Sequence, residues 1–260
     1  MTPRSTGRLL LGTQGFAFDD WVGPFYPPGT AKERYLESYA QNFATVEIDS
    51  TFYAQPRRSV VEGWRRRTPD GFVFAAKFPR AITHDKKLVD AEAEAQAFVA
   101  TMQALDDKLG VLTLQFAYDF TPDNLPRLEQ FLRRLPQGVR YAVEIRNRKW
   151  LTPELGEALS GCGAALVLQD LYYMPKMTWV TAGFTVIRWL GRRSDISAFD
   201  RIQIDRTREL TGWAERVRGF LDDGVDVYGY FNNHFAGHSP ASLRQFEVIL
   251  ASVPGRRPPA

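Results

Sequence analysis

Tyr228-Gly-Tyr-Phe-Asn-Asn-His-Phe-Ala-Gly-His-Ser-Pro240 reads as the end of a buried strand passing directly into a helix. Val225, Val227, Tyr228, Tyr230 and Phe231 supply the apolar strand. Asn232, Asn233 and His234, all polar and hydrogen-bonding, stand where it stops. Gly237 loosens the chain, and Ser239-Pro240 reads as the N-cap and first residue of a helix. A buried strand thus delivers polar side chains to its C-terminal end, where α/β proteins build their sites. A plainer reading has Asn232 and Asn233 satisfy only loop backbone groups.

The same alternation runs back through the chain. Further strands are predicted at Leu9–Thr13, Thr45–Asp49, Phe72–Lys77, Val111–Phe116, Tyr141–Ile145, Ala164–Leu168 and Phe184–Leu190. Capping boxes at Thr30-Ala-Lys-Glu33 and Ser59-Val-Val-Glu62 open helices. Helical spacing predicts others over about 90–108 (Ala95, Phe98, Val99, Met102, Leu105), behind Thr121-Pro122, behind Thr152-Pro153, and over about 201–222. The aromatic segment 14–29 is too apolar for a disordered loop and is expected to pack over one end of the core. Residues 169–183 form an irregular link. Eight strands, mostly separated by helices, predict a single-domain α/β fold: a (β/α)8 TIM barrel over residues 1–260, loose at about 1–8 and 253–260. A doubly wound sheet usually offers a glycine-rich phosphate loop after its first strand, and Gly12-Thr-Gln-Gly15 is a weak echo of one.

Composition narrows the function classes. The chain has 260 residues, 44% hydrophobic and 24% charged, enough for a large core. No apolar run is long enough to span a membrane, and no N-terminal segment has signal-peptide layout. A single cysteine, Cys162, excludes an internal disulfide and a multi-cysteine zinc site, so a reducing, cytoplasmic setting is expected. A net charge of +3 permits an anionic partner without demanding one. Arginine runs such as Arg65-Arg66-Arg67 and Arg192-Arg193 read first as solvated surface.

Charges inside apolar strands are costly unless paired or aimed at a solvated mouth. Residues two apart share a strand face. Glu47 with Asp49, Glu144 with Arg146, Lys77, Gln115, Arg188 and Asn232 all stand near strand ends, and a barrel gathers such residues at its C-terminal opening. The alternative is an ion-pair network filling the barrel top, Glu47 with Lys77 and Glu144 with Arg188. As a site, Glu47 and Glu144 are the catalytic acid/base candidates. Lys77, Arg146 and Arg188 suit a phosphate or carboxylate, with Asn232, Asn233, His234, Gln115 and Asp49 completing the binding set. Three histidines leave few nitrogen ligands, and no metal site is assigned. One divalent ion on Glu47, Asp49, Glu144 or Asp170 still has room. His84 either lines the same mouth or caps its own loop.

Several motifs recur in order across nearly the whole chain: Gly12-Thr-Gln-Gly15 with Asp20-Trp21, Gly23-Pro-Phe-Tyr-Pro27, Glu47-Ile-Asp-Ser-Thr-Phe-Tyr53, Phe74-Ala-Ala-Lys-Phe-Pro-Arg80 with Ile82-Thr-His84, Glu144-Ile-Arg146 with Trp150, and Tyr230-Phe-Asn-Asn-His234 with Gly237-His238. Together they resemble the domain-of-unknown-function 72 (DUF72, YecE-like) family. The resemblance implies a TIM barrel, similar to the endonuclease IV and xylose isomerase group, without an established activity. Asp49 stands where the family usually has Asn, and Leu190 where a His is common. The expected function is a mouth that binds a phosphate-bearing substrate, DNA or another nucleic acid favoured, with phosphodiester chemistry as the reaction class. The rivals are a non-catalytic nucleic-acid-binding barrel, using Phe18, Trp21 and Tyr173 for stacking, and a sugar or sugar-phosphate isomerase.

Overall fold

Eight short, largely apolar runs form eight parallel strands. A computed structural model describes residues 6–192 and 194–255. The expectations for 1–5, Arg193 and 256–260 fall outside the described residues. The strands are β1 (Leu9–Gln14), β2 (Thr45–Ile48), β3 (Val73–Lys77), β4 (Leu109–Gln115), β5 (Arg140–Glu144), β6 (Ala165–Asp170), β7 (Phe184–Trp189) and β8 (Asp226–Phe231). They pair in sequence order, and β8 closes onto β1. The (β/α)8 barrel is the fold.

Strand parity separates two buried layers. Leu10, Val73, Ala75, Val111, Ala142, Ala165, Val167, Val186, Tyr228 and Tyr230 fill the lumen. The alternate residues, such as Val46, Phe74, Leu112, Val143, Leu168 and Trp189, pack outward against the helices. At the N-terminal end the Arg140 guanidinium lies 5.4 Å from the Phe184 ring centroid and 5.6 Å from that of Tyr228. It also pairs with Asp226 at 3.1 Å. These contacts cover the base of the lumen and leave the opposite end as the mouth.

The outer helices are α1 (Tyr35–Ala40), α2 (Ser50–Tyr53), α3 (Arg58–Arg66), α4 (Glu92–Met102), α5 (Leu125–Arg134), α6 (Pro153–Gly161), α7 (Thr207–Asp222), α8 (Asn233–Ala236) and α9 (Ser239–Ser252). Several differ from expectation. Neither capping box forms: Thr30 Oγ1 donates to the Pro27 carbonyl, and α3 begins one residue before Ser59. The helix expected over 90–108 breaks after Met102 into 3-10 turns, with Asp106 at φ 54°. There Lys108 is pulled inside, its Nζ donating to the carbonyls of Arg65 at 2.9 Å and Thr68 at 2.6 Å. The helix expected from 201 starts at Thr207. Ser239 does not cap α9; its hydroxyl donates to Asn233 Oδ1 at 2.8 Å, and His238 holds the cap position.

No helix joins β6 to β7. Residues 171–183 take its place as the irregular link. Thr181 anchors the far end, its hydroxyl donating to the Ala164 carbonyl and accepting from the Leu166 amide, both at 2.8 Å. The near end carries Tyr172 and Tyr173 to the mouth. No described helix is long and apolar enough to cross a membrane.

Candidate functional site

The strand ends open into a cavity of about 860 Å³, within the range of small-molecule sites. Lys77, Arg80, Arg146, Arg188 and Arg192 line it, together with Asp49, Gln14, Gln115, Asn232, His84 and His234. Tyr53, Tyr118 and Tyr172 stand at its rim, 75%, 67% and 67% exposed.

Arg188 organises the floor. It is 1% exposed, and it reaches across the lumen to side chains from β1, β2, β4 and β5, none of which borders β7. Nε donates to Glu47 Oε2 at 3.1 Å, and Nη2 approaches the same oxygen at 2.9 Å. Nη1 donates to Glu144 Oε2 and, at 3.2 Å, to Gln115 Oε1. Nη2 also donates to Gln14 Oε1 at 3.0 Å. Four hydrogen bonds and the Nη2–Glu47 ion-pair contact engage all three guanidinium nitrogens. Register explains the set: Gln14 sits beside Glu47 and Gln115 beside Glu144, so two amide–carboxylate pairs face the arginine at matching heights.

Glu47 and Glu144 are fully buried beneath this arginine, and neither reaches the cavity wall. Their charges respond in opposite senses. Burial outweighs Arg188 at Glu47 and holds its carboxyl above the ordinary range. At Glu144 burial pushes upward too, but Arg146 and Arg188 outweigh it and hold the carboxyl low. Burial also opposes the Arg188 charge, yet Glu144 and Glu47 overcome it and raise the guanidinium value. The sequence-based pairing of Glu47 with Lys77 is not what forms. Lys77 pairs with Asp49, and Arg188 takes both glutamates.

Arg146 sits between floor and cavity. It is 18% exposed and pairs with Glu144, while its buried Nε has no hydrogen-bond partner. Arg80 is held by Asp85 at 3.1 Å, and Arg192 lies 5.0 Å from the centre of the Tyr172 ring. Asn232 donates to Gln14 Oε1 at 2.9 Å and caps α8 by accepting from the His234 amide at 2.9 Å. The corner at β8 is tight. Gly191 has φ +66°, and a Cβ there would lie 2.0 Å from the His234 carbonyl oxygen. Gly191→Ala is expected to destabilise the fold by about 1–3 kcal/mol, read as a lower urea midpoint; an unchanged midpoint would show that the corner gives way freely.

Lys77, Arg146, Arg188, Asn232, Gln115, Asp49 and His234 meet in one cavity. Asn233 does not join them. It is 3% exposed and turns outward, Oδ1 accepting from Trp21 Nε1 at 3.3 Å and from the Ser239 amide at 2.9 Å. Asp170 also points outward, accepting from Trp213 Nε1 at 2.7 Å and pairing with Lys176, so it cannot share an ion with the mouth carboxylates. Among the described residues no group of three or more His, Cys, Asp or Glu side chains is gathered to hold a metal ion. Trp21, read as an exposed stacking surface, is fully buried. Gln14, Arg80, Arg192, Tyr53 and Tyr118 were missing from the expected set. Parity could have supplied Gln14, two residues beyond Gly12 and four beyond Leu10 on one strand face. Loop arginines and tyrosines carry no such periodic signal.

Both sequence relatives and a solved structure match this chain. The model for "Protein of unknown function DUF72" matches residues 10–259. UPF0759 protein YunF from Bacillus subtilis is 30% identical over a 285-position alignment covering 93% of this chain and 94% of that protein. UPF0759 protein YecE from Escherichia coli is 39% identical over 112 residues, and that match spans 43% of this chain and 41% of YecE. The crystal structure of a DUF72 family protein from Thermotoga maritima superposes with a TM-score of 0.81 at 27% identity, covering 94% of this chain and 100% of that one. With the family model matched almost end to end on a closed eight-stranded barrel, the chain belongs to the DUF72 family of proteins of unknown function.

Proposed function

We propose that the barrel mouth binds a phosphate-bearing substrate, with a nucleic-acid strand favoured. One observation carries this reading: four cationic side chains besides Arg188 share a cavity with exposed tyrosines. Arg188 spends its donors on the protein and supplies a fixed positive floor. Lys77, Arg80, Arg146 and Arg192 are the groups that meet the anion, and Arg146 Nε is a buried donor awaiting an acceptor. Tyr53, Tyr118 and Tyr172 offer flat faces on which bases stack, while the phosphates follow the cations. Asn232 and Gln115 position the substrate. Glu47 and Glu144 act through Arg188, holding it in place, rather than by touching the substrate.

That last point favours a second reading, a binding barrel without chemistry, since neither glutamate lines the cavity. Both readings are tested together by titrating a labelled single strand, an intact duplex and an abasic-site duplex against salt. Strands are checked for scission with and without Mg²⁺ or Mn²⁺. Four phosphate contacts give a log–log salt slope of about −3 for a single strand. Scission supports an enzyme, and binding without scission supports the binding barrel. No binding at low salt overturns both and turns attention to sugar phosphates.

A further inference from the structure

His84 is an ionisable side chain on the wall of the same cavity. His84 lies on Ala81–Asp85, a π-helical turn that follows β3 and buries Ile82 and Thr83. Such widened turns recur at functional sites. Here the turn places His84 on the cavity wall, its ring edge-on to Phe52 with centroids 4.9 Å apart. Nδ1 is bonded to Thr83 Oγ1 at 2.9 Å. Nε2 is left without a protein partner among the described residues.

Four charges face the ring: Arg80 and Asp85 from its own turn, Asp119 from the segment after β4, and Arg146 from the end of β5. Both carboxylates are already engaged, Asp85 with Arg80 and Asp119 with Lys87. Arg80 opposes a positive ring most strongly of the four, Asp85 and Asp119 favour one, and Arg146 opposes it least. Burial, then Arg80, holds His84 below its ordinary value.

We propose that His84 contacts the phosphate group bound in the mouth and takes up a proton as it does so. The proposal rests on the phosphate-binding reading given above. An anion set among Arg80, Arg146 and His84 offsets the repulsion from both guanidinium groups. It also accepts a charge-assisted hydrogen bond from Nε2–H, which favours the imidazolium form. The proton comes from solvent and returns there when the anion leaves; only an N–H bond forms and breaks. Glu47 and Glu144 cannot play this part, being sealed under Arg188.

The chain has three histidines, so the ring protons of each can be followed by NMR on the wild-type protein. The probe is a short oligothymidylate, whose phosphodiesters keep their charge while histidine titrates between about pH 5 and 8. The expected result is a His84 midpoint about one unit or more higher in the complex, and affinity about tenfold weaker at the alkaline end. His84→Asn keeps a partner for Thr83, lacks Nε2, and is expected to lose that pH dependence while still binding. Binding with an unmoved His84 midpoint overturns the proton uptake and leaves the phosphate reading intact. A pH dependence that follows the His234 ring instead does the same. Absence of binding at every pH overturns both.

Discussion

Arg188→Met is expected to cost about 3–5 kcal/mol of stability, because it strips a buried counter-charge from two buried carboxylates. In thermal unfolding this is a midpoint lower by roughly 10 °C. The pH profile should change shape as well. In the wild-type protein Glu144 has a lowered folded value, so its contribution is present above the unfolded carboxylate value and is lost as pH falls through the folded value. Glu47 has a raised folded value and works in the opposite sense, its contribution being lost as pH rises through that value. Without Arg188 the Glu47 value climbs further. The variant should then lose stability as pH rises from the carboxylate range toward neutrality. Adding Glu47→Gln removes one stranded charge and should recover part of the loss. Urea midpoints across pH for the three proteins decide the matter; a single variant as stable as wild type at neutral pH would mean the floor network contributes little.

Arg146→Gln should separate binding from folding. Its Nε lies buried without an acceptor, and Glu144 keeps Arg188 when Arg146 is gone. A hydrogen bond to a charged group contributes about 1.5–3 kcal/mol, so oligothymidylate affinity should fall about 10- to 100-fold. The unfolding midpoint should move far less than in Arg188→Met. Competition binding and a thermal scan on the same preparation read both quantities. Unchanged affinity would remove Arg146 from the anion site and with it the strongest single support for a phosphate ligand.

Much of this architecture is legible in the residues. Runs such as Val111-Leu-Thr-Leu and Ala165-Leu-Val-Leu have the apolar continuity of strands buried on both faces. Parity then places Glu47, Lys77, Glu144, Arg146, Arg188 and Asn232 on the lumen side. That same two-sided burial hides parity in β6, where Val167 and Gln169 face inward and Asp170 must face out. Ion pairing was legible in part: Glu144 meets Arg188 as expected, but Glu47 meets Arg188 rather than Lys77, because the arginine reaches across the lumen to strands that do not border β7. Asn233, expected in the mouth, turns away for a local reason: one residue past Asn232 the chain enters α8, and its side chain meets Trp21 and Ser239 instead. Thr30 and Ser59 show the limit of cap signatures: the Thr30 hydroxyl turns back to the Pro27 carbonyl, and α3 starts ahead of Ser59.

The helix missing between β6 and β7 has an engineering consequence. Many of the other mouth residues, such as Gln14, Tyr53, Lys77, Gln115 and Arg188, sit on a strand or a helix, and a change there disturbs packing. The stretch from Tyr172 to Lys176 contributes to the rim but includes no strand residue and no helix face. Thr181 secures the segment to β6 independently of what that stretch contains. A combinatorial library confined to these five positions, with Met174 kept apolar because it is 7% exposed and Lys176 kept basic because it pairs with Asp170 of β6, would vary the rim on an intact scaffold.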